Sequence, residues 1–231
     1  MYRHYDEELH IWPHDRAYIG NNAFKYSAEL GRLCCHETIV GIAKRYLRAQ
    51  PHIQRGVAMR YLPAESNDRD MFGWHHDMEE QRMKMMVLLT DVGETDQYMS
   101  YVTGSHRLFH PFEMFSQNHC SLEYCRERLE ELELFHTTGM AGDVFLFDSN
   151  GAHRGNRRTP AAVRDVFFIE YCANQTHVWG GDIDAQIFDS VDPMCASVFT
   201  RMRTVDKKWD RPRRGDKPDW IASLADIEGW L

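Results

Sequence analysis

The chain has 231 residues, 43% of them hydrophobic and 27% charged, with a formal net charge of −8 at pH 7. That length suits one domain with a core of its own, and the acidic balance excludes the basic footprint by which proteins grip nucleic acid or an anionic membrane surface. The opening "MYRHYDEELHIWPHD" is charged without an apolar centre, so no signal peptide is expected, and no run approaches the roughly 18 apolar residues of a membrane span.

Residues 1–26 show no clear period and are expected to wrap the core as loops. From about Glu29 to Ala49, Leu30, Leu33, Cys34, Ile39, Val40, Ala43 and Leu47 recur at helical spacing, and Pro51 closes the stretch. The six cysteines, Cys34, Cys35, Cys120, Cys125, Cys172 and Cys195, form no CxxC pair and no zinc-finger spacing. They are expected to be reduced, buried side chains in a cytoplasmic protein.

"GVAMRYLP" (56–63) reads as a strand and "AESNDRD" as a loop. "RMKMMVLLTD" (82–91) is a strand with one wholly apolar face, Met83, Met85, Val87 and Leu89, and an opposite face apolar but for Lys84 and Thr90. "QYMSYVTGSHR" continues as a strand into a glycine turn. Residues 108–137 form an insert whose apolar stripe, Leu122, Cys125, Leu129 and Leu132, predicts an amphipathic helix. "GDVFLFDSN" (142–150) is a strand ending in a polar turn, and "RDVFFIEYC" (164–172) is its expected antiparallel partner. Residues 173–231 are expected to close on the body as a solvated extension. One helical region followed by several strands predicts a single mainly β domain over 1–231, a sandwich or barrel with supporting helices.

Chemistry concentrates in two stretches. In "GWHHDMEE" (73–80), strand parity puts His75 and Asp77 on one face and turns His76 away. A bare His-x-Asp is most often ordinary polar surface, and needs a third ligand elsewhere. "FDSNGAHRGN" supplies one in His153, and Arg164 follows eleven residues later. Two imidazoles and one carboxylate are the facial triad of non-haem Fe(II) oxygenases, with positions left open for cosubstrate and oxygen. A guanidinium nearby offers a fork for a carboxylate.

Taken in order, "WHHD", "KMMVLLTDV", "YVTGSHR" and "GDVFLFDSNGAHRGN" with an arginine eleven residues past its histidine resemble the phytanoyl-CoA dioxygenase family over roughly residues 56–172. The resemblance implies a double-stranded β-helix core of the jelly-roll, cupin-like kind. It implies Fe(II) held by His75, Asp77 and His153, 2-oxoglutarate as cosubstrate with its far carboxylate on Arg164, and O2 as oxidant. Trp74 matches the aromatic before the first ligand; Asp91, Gly104, Ser105 and His106 match turn positions. Where the family commonly has Gly-Pro this chain has Gln97-Tyr98, and Thr103 replaces a proline, so a substrate other than the family's namesake is expected. The retained Asp77 argues against halogenation.

Lys84 either caps the solvent side of its strand or points inward to hold an anionic group, and is assigned with Arg164 to cosubstrate binding. Arg60 is expected to be structural. The reaction implied is oxidation of an unactivated C–H bond, by hydroxylation, desaturation or cyclisation, in a small free metabolite, best an amino acid or a derivative, whose carboxylate Lys84, Arg60 or Arg82 would meet. The insert is a lid in this reading. A cupin-like metalloprotein with non-oxidative chemistry and a catalytically silent metal-binding protein are the alternatives, and neither oligomeric state nor exact substrate follows from the sequence.

Overall fold

Strands are the commonest regular element in what the computed structural model describes, which is residues 9–12, 17–21, 28–61, 74–77, 81–107, 132–155, 163–173, 181–184, 193–199 and 202–205. In chain order the elements are β1 (Leu9–Trp12), β2 (Ala17–Asn21), α1 (Ala28–Cys34), α2 (Glu37–Leu47), β3 (His52–Tyr61), β4 (Arg82–Leu88), β5 (Met99–Val102), β6 (Leu134–His136), β7 (Val144–Asp148), β8 (His153–Gly155), β9 (Arg164–Cys172), β10 (Gly181–Asp184), α3 (Pro193–Ala196) and β11 (Met202–Val205). The protein is mainly β with supporting helices. Among the described residues no helix is long and apolar enough to cross a membrane. The chain divides into two compact units, one of residues 1–11, 18–59 and 167–231, the other of 12–17 and 60–166.

The first unit contains α1, α2 and, in sheet order, β1, β2, most of β3 and most of β9. The strands β1 and β2 replace the loops expected before residue 26; each is too short for an alternating pattern to register. The expected helix over 29–49 is two helices. The His36 backbone turns extended (ψ 131°) and its ring accepts from the Thr38 N–H at 3.3 Å, so a new helix starts at Glu37. Arg48, left-handed at φ 53°, ends it three residues before Pro51. Val40, Ala43 and Leu47 form the buried stripe of α2, while Ile42 stands exposed. The Tyr171 hydroxyl donates to the Cys34 carbonyl at 2.8 Å, tying β9 to the end of α1. Cys34, Cys35, Cys172 and Cys195 are free and buried, and burial pushes the Cys35 thiol up to about 12. Cys120 and Cys125 lie outside the described residues. The C-terminal region contributes β10 and β11, a parallel pair, where a plain extension was expected.

The second unit is built on β4, all seven of whose residues are buried, Arg82 and Lys84 included. It pairs antiparallel with β7, Lys84 opposite Phe147 and Met86 opposite Phe145. The expected pairing of β7 with β9 does not form: β4 lies between β7 and the head of β9, and the Leu89 N–H donates to the Asp165 carbonyl at 2.9 Å. The reason is β8, which carries the intervening chain to a second sheet of order β6-β5-β8 and so prevents a hairpin. The "TGSH" turn fastens that sheet. Gly104 takes the left-handed φ of 84°. The Ser105 hydroxyl donates to the Val102 carbonyl at 2.6 Å and accepts from the Ala152 N–H at 2.7 Å, one residue before His153. Asp91 likewise acts in a turn, accepting from the Ala141 N–H. Of the predicted insert, residues 108–131 and most of the amphipathic stripe lie outside the described residues, and 134–136 are β6.

Candidate metal centre

Backbone pairing sets the site. His75 and His153 form an isolated antiparallel bridge, each N–H donating to the other's carbonyl at 3.0 and 2.9 Å. Residues that exchange both bonds present their side chains on one face, and the two imidazole centroids lie 4.3 Å apart. The Asp77 N–H continues the pairing to the Ser149 carbonyl at 2.9 Å, which returns Asp77 to the face of His75. Asp77 Oδ1 lies 3.9 Å from His75 Nε2 and 3.8 Å from His153 Nε2. The three ligand atoms fall within 4.8 Å of one another, and among the described residues this is the one such grouping. His76 is buried, and strand parity assigns its side chain to the opposite face. Replacing His76 with alanine is therefore expected to cost about 1–3 kcal/mol of stability and to leave metal binding intact. Loss of metal in that variant, with His75→Ala silent, would contradict the assignment of faces.

The donor set suits a divalent transition metal. His153 Nδ1 lies 2.8 Å from the Gly151 carbonyl. A carbonyl can only accept, so the proton sits on Nδ1 and the Nε2 lone pair faces Asp77. Burial lowers the pKa of His153 against the pull of Asp77, favouring the neutral ring that a metal needs. Burial alone would raise the Asp77 carboxyl, but Lys84 first, then His153 and His75, hold it well below the usual carboxylate range.

Tyr101 and Phe147 brace the buried ligand. Tyr101 stands directly opposite His153 in the β5–β8 pairing, with ring centroids 6.5 Å apart, and its hydroxyl donates to the Asp148 carbonyl at 3.0 Å. Phe147 meets the His153 ring edge-on at 5.7 Å. A Cβ on Gly151 would overlap the Tyr101 phenol. The Gly151→Ala variant should consequently lose about 1–3 kcal/mol of stability and about 10- to 100-fold in metal affinity, read by thermal unfolding and Co(II) titration. An unchanged affinity would show that Tyr101 does not hold His153 in place. These long-range partners carry no local sequence signal beyond the glycine of the turn.

Lys84 points inward, its ammonium 2.5 Å from Asp77 Oδ2. Met86, two residues on and hence on the same face of β4, touches Arg164: its sulfur is 3.8 Å from Nη2. The Arg164 guanidinium also lies over the Tyr61 ring, 5.0 Å from the centroid. Burial lowers its pKa, and its Nε is buried without a hydrogen-bond partner among the described residues. Asp165 is not its counter-ion; both Asp165 oxygens accept from Arg60, at 2.8 and 2.7 Å. Arg60 is thus structural, as expected, and Arg82 is fully buried. Arg60 and Lys84 hold Asp165 and Asp77 respectively. Behind the site, Arg154 stacks on Trp74 at 4.4 Å.

No family profile matches the chain. Its sequence is 28% identical over 167 residues to the ectoine dioxygenase of Halomonas elongata, covering 62% of this chain and 49% of that protein. The chain spans about half the length of the curated relatives it matches. The crystal structure of EctD from S. alaskensis with 2-oxoglutarate and 5-hydroxyectoine shares the fold, with a TM-score of 0.60 and 22% identity over 73% of this chain and 61% of that one. HygX from Streptomyces hygroscopicus, solved with nickel, 2-oxoglutarate and hygromycin B, aligns with a TM-score of 0.53 and 16% identity over 75% of this chain and 76% of that one.

Proposed function

We propose, for a chain similar in sequence to ectoine dioxygenases and similar in fold to EctD and HygX, that it oxidises an unactivated C–H bond of a small metabolite using Fe(II), 2-oxoglutarate and O2. The observation that carries this reading is the convergence of His75, Asp77 and His153, with a buried guanidinium reached from the same face of β4. Two neutral imidazoles and a single carboxylate suit ferrous iron and leave positions open on its far side. When bound, the iron would activate O2, the oxidant; 2-oxoglutarate would give up two electrons and leave as succinate and CO2, one oxygen atom ending in succinate and the other in the oxidised product or water.

The chain's own residues supply binding, orientation and exclusion of water. The Gly151 carbonyl keeps the proton on His153 Nδ1, and Tyr101 and Phe147 cover that ring. Arg164 binds the far carboxylate of 2-oxoglutarate through charge-assisted hydrogen bonds, for which its buried, unfilled Nε is available. A hydrolytic or isomerising metal site would give this desolvated cation no ligand, which is why the oxidative reading stands first.

The reading extends to a double-stranded β-helix core over about residues 56–172 within one oxygenase domain of residues 1–231. A cytoplasmic location belongs with it, in keeping with four free, buried cysteines. For the substrate we take an amino acid or an amino-acid-derived metabolite. Support comes from the ectoine dioxygenase relatives and from an acidic chain ill-suited to polyanions. A panel of amino acids, cyclic derivatives, aminoglycosides and coenzyme A thioesters, scored for 2-oxoglutarate turnover above background with products identified by mass, tests it. Stimulation by thioesters or long apolar molecules alone overturns the substrate class and leaves the metal site standing.

A further inference from the structure

Asp77 meets two different neighbours with its two oxygens. Oδ1 faces both imidazoles, at 3.9 and 3.8 Å, whereas Oδ2 takes the Lys84 ammonium. The lysine cannot easily move away: it stems from the centre of a strand buried along its whole length, opposite Phe147, and its side chain is only 11% exposed. From these contacts we infer that Lys84 is a positioning residue which occupies Oδ2, so that Asp77 offers a metal one oxygen and never two. The inference rests on the metal-site reading above and replaces the expectation that Lys84 binds the cosubstrate.

The need for such a device follows from counting positions. If Asp77, His75 and His153 each gave a bound metal one atom, the positions they left open would have to serve both the cosubstrate and O2. A carboxylate free to chelate would take one of those places. The lysine prevents this with a hydrogen-bonded charge, and the same positive charge beside the metal weakens metal binding while favouring a dianionic cosubstrate. An outer contact of this kind therefore moves two affinities in opposite directions, which a merely structural lysine would not do.

Co(II) is the probe, titrated anaerobically into the wild type, Lys84→Met and Lys84→Arg, followed by 2-oxoglutarate. The Lys84→Met variant is expected to bind Co(II) about tenfold more tightly and 2-oxoglutarate about tenfold more weakly. Its Co(II) ligand-field bands should differ from the wild type before any cosubstrate is added, and Lys84→Arg should restore both constants towards the wild type. Unchanged bands without cosubstrate overturn the inference; if 2-oxoglutarate nevertheless binds more weakly, Lys84 is a cosubstrate contact instead. X-ray absorption on the wild-type Co(II) protein decides the matter even if the methionine variant does not fold. A single carboxylate oxygen is expected, and the short metal–carbon distance of a chelating carboxylate contradicts it. A wild type that takes up no Co(II) overturns the metal-site reading and this inference with it. A wild type that binds Co(II), matched in both constants by Lys84→Met, overturns this inference alone.

Discussion

Replacing Asp77 with alanine is expected to abolish Fe(II)-dependent turnover and to weaken divalent-metal binding by more than the roughly 100-fold that loss of an outer-shell contact costs. Asp77 is the sole anion among the three converging ligands, so its removal leaves two neutral imidazoles to hold a dication. It also strands the Lys84 ammonium, which is largely buried and would lose the carboxylate at Oδ2. Breaking such a pair from one side costs about 1–3 kcal/mol at a partly exposed position, so the thermal midpoint should fall as well. Asp77→Asn separates the two effects, because it keeps the shape and a hydrogen-bond acceptor but not the charge. Metal titration, succinate release and thermal unfolding on the same preparations make the check. Activity that survives Asp77→Ala in the presence of a strong chelator would remove the triad from the account.

Arg164→Leu is expected to raise the KM for 2-oxoglutarate by about one to two decades, the roughly 1.5–3 kcal/mol of hydrogen bonds to a charged group. Stability should move the other way, or not at all. Among the described residues the guanidinium has no carboxylate partner; it lies between Met86 and Tyr61 with its Nε unfilled. Exchanging an unpaired, desolvated cation for an apolar side chain removes a burial cost and strands no counter-ion. A structural arginine would show the reverse, a lower thermal midpoint with an unchanged KM. Arg60 supplies the internal comparison, since its loss would leave the Asp165 carboxylate without its fork.

Local periodicity made some of this legible in the chain and hid the rest. The shared face of His75 and Asp77, with His76 set on the other, follows from a two-residue repeat, which needs no tertiary knowledge. The strands 82–88 and 164–172 announced themselves by apolar density. Their pairing did not, because β8 takes the chain between β7 and β9 into another sheet. Helical spacing ran on across His36, where the backbone breaks to cap a second helix, since apolar spacing reports which side is buried and not whether the axis is continuous. Lys84 stood out as a charge on an apolar strand, yet sequence alone left its direction open. Only the approach of residues 75–77 to 149–153 gives it Asp77 for a partner. Arg164 had an acidic neighbour in sequence that turned out to belong to Arg60, a choice made by packing and invisible to spacing. Tyr101 and Gly151 lie fifty residues apart, and nothing in either stretch foretells their contact.

The most direct measurement is succinate release from 2-oxoglutarate by the purified chain, with and without Fe(II), with the Asp77→Ala variant as the blank. The account predicts slow uncoupled release by the wild type that requires Fe(II) and O2, stops with a chelator, is not restored by Zn(II), and is absent from the blank. Release equal in wild type and blank, or a Zn(II)-supported hydrolysis or isomerisation that consumes no 2-oxoglutarate, would contradict it.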